Sequence, residues 1–98
     1  MNEQDTAEAK LRAGMDDYRI PIGLRDGIVR YAIHHIHPGD FLRAVLENDL
    51  FTACWRGDSI SVGRLCAIVT CLHHHAPAAC WRSPAAVDAW LKDKEERA

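Results

Sequence analysis

Apolar side chains recur along this chain at helical spacing. Leu24, Ile28, Tyr31, Ala32 and His35 follow at intervals of four, three, one and three, which puts them on one helical face. The spacing predicts a helix over 24–36, entered through Pro21 to Gly23. His37-Pro38-Gly39-Asp40 stops it, because proline disfavours helix at the residue before it. Phe41, Leu42, Val45 and Leu46 stand at i, i+1, i+4 and i+5, a second short helix closed by the turn pair Asn48-Asp49. Asp49 is placed to cap a further turn or two over 50–55, where Phe51, Cys54 and Trp55 supply bulk before Gly57-Asp58 breaks the chain. Val62, Leu65, Cys66, Val69, Leu72 and His73 repeat at three, one, three, three and one. They predict the strongest and central helix, capped by Asp58 or Ser59 and ended over 73–77. Pro77 to Trp81 reads as an ordered apolar connector. Ser83-Pro84 then starts a last helix as cap and first-turn proline, with Val87, Trp90 and Leu91 along one face.

No stretch alternates with period two beyond Ile60-Ser61-Val62, so the fold class expected is all-α. Short links prevent the helices from all lying parallel, which predicts a compact orthogonal bundle of about five short helices. Trp55, Trp81 and Trp90 are expected around the central helix. Residues 18–91 form the single helical domain in this reading, and 92–98 a charged tail. Residues 1–17 carry five acidic side chains, Glu3, Asp5, Glu8, Asp16 and Asp17, against Lys10 and Arg12. With few large apolar groups, and with short isolated helices marginal in water, they read as an acidic flexible leader.

Composition narrows the function classes. Ninety-eight residues, 48% hydrophobic and 27% charged, suit one small domain with a packed core. A net charge of −2 argues against direct nucleic-acid binding through bulk positive charge. No apolar run reaches membrane-spanning length, and the polar start MNEQDTAEAK has no signal-peptide core, so a cytoplasmic protein that engages no membrane is expected.

Four cysteines, Cys54, Cys66, Cys71 and Cys80, form no CxxC and read as buried apolar thiols. Six histidines cluster as His34, His35 and His37, then His73, His74 and His75, each group at a predicted helix C-terminus, where imidazole suits the helix dipole. His75 lies four residues after Cys71, within metal-ligand reach on one face, and Cys80 can fold back as a third ligand. Zinc-binding or nucleic-acid-associated regulation through these three residues is therefore the alternative reading. A fourth ligand would have to come from isolated residues, so the main expectation includes neither metal nor cofactor. A Cys/His nucleophile lacks any glycine-rich elbow or flanking motif, and no enzyme activity is expected.

The cations of the body are all arginine. Their planar forks are enriched at interfaces, although ordinary surface ion pairs explain them equally well. Phe41, Leu42, Val45 and Leu46 with Leu50 and Phe51 exceed what one face of a short helix needs. An exposed Phe41 or Phe51 would mark a partner surface or a homodimer contact. The partner-binding residues expected are Arg30, Phe41, Arg43, Arg56 and Arg64.

The segment Pro38-Gly39-Asp40-Phe41-Leu42-Arg43-Ala44-Val45-Leu46-Glu47-Asn48-Asp49-Leu50 is similar to one found in small hypothetical proteins of phages and prophages. Ile20-Pro21, Arg30-Tyr31, Pro77-Ala78-Ala79-Cys80-Trp81 and Trp90-Leu91 extend the resemblance over most of the body. That pattern follows Cys-Trp with glycine where this chain has Arg82, and it lacks the histidine triplet. The resemblance implies an accessory protein of a mobile element, one that binds and inhibits or modulates a host protein or ribonucleoprotein complex such as a CRISPR-type defence system. It implies no catalytic residues.

Overall fold

Asn2 opens the first helix, its side chain accepting the Asp5 amide at 2.8 Å, and Glu3 and Asp5 place negative charge in the first turn, where the helix dipole favours it. The computed structural model describes residues 2–97, with side chains as far as Asp93. Helix α1 runs over Glu3–Asp17, in place of the expected flexible leader. Leu11 and Met15, one turn apart, are 2% and 0% exposed, and Gly14 between them lets α1 close on the later helix that carries His75. A Cβ on Gly14 would stand 2.5 Å from the His75 ring. Burial of this small stripe holds a helix whose own propensity is weak.

Six more α-helices follow among the described residues: α2 Ile22–His34, α3 Asp40–Leu46, α4 Leu50–Arg56, α5 Ser59–Gly63, α6 Leu65–His75 and α7 Pro84–Arg97, with a 3-10 turn at Ala78–Cys80 before α7. No strand occurs among the described residues. The all-α expectation holds, and the count of five is exceeded because α1 forms and the central helix divides. Ala98 of the expected tail lies outside the described residues, and the preceding residues through Arg97 continue α7.

Local signals set most of these ends. Asp49 accepts the Thr52 amide at 3.1 Å and Asp58 the Ser61 amide at 2.7 Å. Ser83 Oγ accepts the Ala86 amide at 3.1 Å. Helices α1 and α3 close through left-handed residues, Arg19 at φ 53° and Asn48 at φ 64°. In each case the following amide, of Ile20 or Asp49, donates to Met15 O or Ala44 O back inside the helix. The predicted central helix breaks at Arg64 (φ −107°, ψ 13°) after Gly63, a residue that weakens helix interiors. Beyond the break the buried stripe of α6 is Ile68, Cys71 and Leu72, while Cys66 and Val69 face outward.

The core joins α6 to Ile28, Val29, Tyr31 and Ala32 of α2, to nearly all of α3, and to Cys80, Trp81 and Val87. Three long-range hydrogen bonds lock its polar parts. The Tyr31 hydroxyl donates to Cys80 O at 2.5 Å, Trp90 Nε1 to Tyr31 O at 2.8 Å, and His35 Nδ1 to Trp90 O at 2.8 Å. A carbonyl can only accept, so Nδ1 carries the His35 proton. The His35 ring also stacks on Trp90 at 4.2 Å between centroids. Trp81 is buried and Trp90 half-buried, whereas Trp55 is 78% exposed, contrary to its expected place in the core.

Docking of α1 predicts that Met15→Ala costs about 2–5 kcal/mol, the range for a long apolar side chain removed from a packed site. Thermal or urea unfolding measures it, and a change below about 0.5 kcal/mol would return residues 3–17 to a loosely held segment.

Candidate interaction surface

Helix α4 has two turns and packs against α3 through Ala53, which is 1% exposed. Its remaining apolar side chains, Leu50, Phe51, Cys54 and Trp55, stand at i, i+1, i+4 and i+5, and therefore share the arc that turns away from α3. Leu50 is 66% and Phe51 79% exposed, and Cys54 is an exposed free thiol. Beneath Leu50 lies a cleft of about 80 Å³ that Leu65 and Val69 of α6 and Val45 and Ala53 complete. Exposed apolar surface thus extends from α4 onto α6, with Asp49 at its edge. Hydrogen bonds from the Thr52 side chain and amide hold the Asp49 carboxyl below its ordinary range.

The expected partner residues lie elsewhere. Phe41 is only 9% exposed and packs into the bundle. A Cβ on Gly57 would meet its ring at 2.6 Å, so the ring fills the space that glycine leaves and is not exposed as expected. Arg43 bridges along the surface, its Nε donating to Glu47 at 3.1 Å and its Nη2 to Asp88 of α7 at 2.9 Å. It fastens α3 to α7 and does not point free into solvent. Arg56 lies in the same shallow cleft as Arg43, 3.9 Å from Asp40. Arg64 Nη2 donates to Tyr18 O at 2.7 Å and so completes the end of α1. Arg30 is exposed on α2. Among these five, the structure brings only Arg43 and Arg56 to a common cleft, where carboxylates accompany both.

The alternative metal set does not assemble. Cys71 and Cys80 are 2% and 0% exposed, and His75 is exposed against Gly14 and Tyr18. No group of three or more His, Cys, Asp or Glu side chains with metal-holding geometry exists among the described residues. Burial pushes the Cys71 thiol up and the Cys80 thiol up to about 12, so both are protonated at neutral pH and poor nucleophiles. Cys54 and Cys66 are exposed, against the expectation of buried thiols throughout.

The periodicity places Trp55 and Val69 in the interior and leaves the orientation of Leu50 open, yet all three are exposed. The available signal was the brevity of α4: a two-turn helix between Asn48-Asp49 and Gly57-Asp58 can bury one narrow arc, and Ala53 occupies it. Comparison with protein-family models, with curated proteins and with solved structures finds no match. No helix among the described residues is long and apolar enough to cross a membrane.

Two outcomes follow. Arg43→Glu places a third carboxylate beside Glu47 and Asp88 and removes two ion pairs, at up to about 1 kcal/mol each. The melting midpoint should fall by roughly 5–15 °C, with part regained on adding Asp88→Asn; an unchanged midpoint would show that the α3–α7 bridge contributes nothing. Maleimide labelling of the native protein should modify Cys54 and Cys66 rapidly and reach Cys71 and Cys80 only through unfolding, as mass spectrometry of digested samples reads directly.

Proposed function

We propose that this chain is a non-enzymatic interaction protein that docks on a partner macromolecule through the apolar face of α4 and the adjoining surface of α6. The observation that carries the reading is the exposure of Leu50, Phe51 and Trp55 at 66%, 79% and 78% on one short helix. At about 200 Å² per aromatic side chain, Phe51 and Trp55 alone present roughly 300 Å² of apolar surface. Leu50 and Val69 enlarge a patch already on the scale of the largest found on typical monomers. Tryptophan and phenylalanine are also enriched at the cores of protein interfaces, where charged residues are depleted. No residue from Leu50 to Trp55 is charged.

The burial of Cys71 and Cys80 supports a binding role over catalysis by those two thiols, and the scattered ligand set supports it over a zinc regulator. The finer reading, a phage-type accessory protein acting on a host complex such as a CRISPR-type defence system, rests on the sequence resemblance and is one identity that the bound partner can take.

The double variant Phe51→Ser/Trp55→Ser tests the face. Both side chains are exposed, so the melting midpoint should stay within about 4 °C of the parent, while the partner captured by the parent protein from host extract should be lost. Retained capture by the folded variant would move the docking surface to another face. Sedimentation equilibrium runs alongside it, and a dimer that the double variant abolishes would make a second copy of the chain the occupant.

A further inference from the structure

A second concavity adjoins the docking face. It spans about 470 Å³, is lined by Asn48, Val69, Thr70, His73, Trp81 and Arg82, and shares Asn48 and Val69 with the cleft beneath Leu50. Arg82 sits there at φ 95°, in a region that any side chain with a Cβ adopts only under strain. The other non-glycine residues at positive φ, Arg19, His35 and Asn48, end helices, where such a residue has a capping role. Arg82 ends no α-helix. Its amide donates to Leu46 O at 2.6 Å, which fixes the strained backbone against the end of α3.

Two contacts place the exposed guanidinium. Its Nη2 donates to His73 Nδ1 at 3.1 Å, and its Cζ lies 5.2 Å from the Trp81 ring centroid. One N–H of the five is used by His73, and the rest of the fork is available. Arg12, Arg25, Arg43 and Arg56 have carboxylate partners, whereas Arg82, like Arg19, Arg30 and Arg64, makes no ion pair among the described residues. Backbone strain of this kind persists where surrounding structure enforces it, and it concentrates at ligand clamps.

We propose that this groove anchors a carboxylate on a partner polypeptide, with the Arg82 guanidinium gripping the acid and the exposed Val69 receiving a neighbouring apolar side chain. The proposal rests on the reading of the α4–α6 face as a docking surface, and it adds the charge that the partner must present. Charge complementarity favours a polypeptide occupant over nucleic acid, because a phosphate backbone is held by several cations along its track, and this groove offers one arginine beside the polar Asn48 and Thr70 and the apolar Val69.

The test uses the full-length, isotope-labelled protein and follows the Trp81 indole N–H by NMR during titration with acetyl-Glu-Leu-amide, acetyl-Gln-Leu-amide or inorganic phosphate. The Glu dipeptide should saturate the shift with an affinity about ten-fold above that of the Gln dipeptide, the scale of one charge-assisted hydrogen bond, and phosphate should bind more weakly than the Glu dipeptide. Arg82→Gly should erase the preference while leaving the melting midpoint unchanged or raised, since glycine adopts φ 95° freely. Arg82→Lys, which keeps the charge and loses the fork, should fall between. Equal responses to both dipeptides, no saturation, or a clear loss of stability in Arg82→Gly would overturn the proposal. Phosphate binding as tightly as the Glu dipeptide would overturn the polypeptide assignment. Phe51→Ser/Trp55→Ser should leave dipeptide binding intact, so a failed titration beside α4-dependent capture sinks the groove alone, and the converse sinks the docking face alone.

Discussion

A buried phenol has to donate its proton, and the way Tyr31 does so organises the second half of this protein. At 1% exposure an unpaired hydroxyl would carry a desolvation penalty of about 1–3 kcal/mol. Tyr31 meets the need by bonding Cys80 O, a residue 49 positions away in sequence. Its own carbonyl accepts from Trp90, and the Trp90 carbonyl accepts from His35. The connector and α7 are thereby held across α2. Cys80 and Val87 reach 0% exposure as a result, and the chain between them passes the C-terminal end of α3, where Arg82 bonds Leu46 O. The position of the groove follows from that bond.

The elements themselves were largely legible in the sequence because their signals are local. An aspartate before a short apolar run, a serine before proline, and an asparagine after Leu46 act through hydrogen bonds within a few residues, so the caps at Asp49, Asp58 and Ser83 and the turn at Asn48 can be read without tertiary information. Helix α1 was not legible. Its acidic character dominates residues 1–17, and the pair that fixes it, Leu11 and Met15, gains its worth only when Gly14 admits the His75 ring of α6. The break at Arg64 escaped for a related reason: Val62 to His73 fit one continuous period, and that period conceals the rotation by which Ile68 and Cys71 turn inward and Cys66 and Val69 outward.

The candidate surface illustrates a sharper limit on periodicity. Helices α3 and α4 carry the same apolar signature, four bulky positions at i, i+1, i+4 and i+5, yet α3 buries its set and α4 exposes it. The difference lies in what each backbone rests upon. Phe41 of α3 fits against Gly57 at the end of α4, where no side chain competes for the space. Ala53 lets the α4 backbone approach α3 closely, and this directs the opposite arc to solvent. Ala53 and Gly57 in sequence thus set the orientation, and their effect appears only once the helices meet.

Agreement between local preference and global structure is what lets a sequence specify one fold, and departures from it concentrate where binding competes with stability. Most of this chain shows such agreement: α1, α4, α5 and α7 start at side-chain caps, no buried side-chain polar atom lacks a partner among the described residues, and the large buried residues are apolar apart from the bonded Tyr31 and His35. Two of the departures share Val69 as a neighbour, while the exposed Ile22 of α2 and Ile60 of α5 are others. Leu50 stands exposed over the cleft that Val69 helps to form, and Arg82 holds a glycine-like backbone in the groove that also reaches Val69. Packing through Ala53 directs Leu50 outward and the bond to Leu46 O holds Arg82 in place, yet neither contact uses the exposed side chain itself. Both features become intelligible together if this side of α6 is completed by a surface that supplies apolar contact next to negative charge.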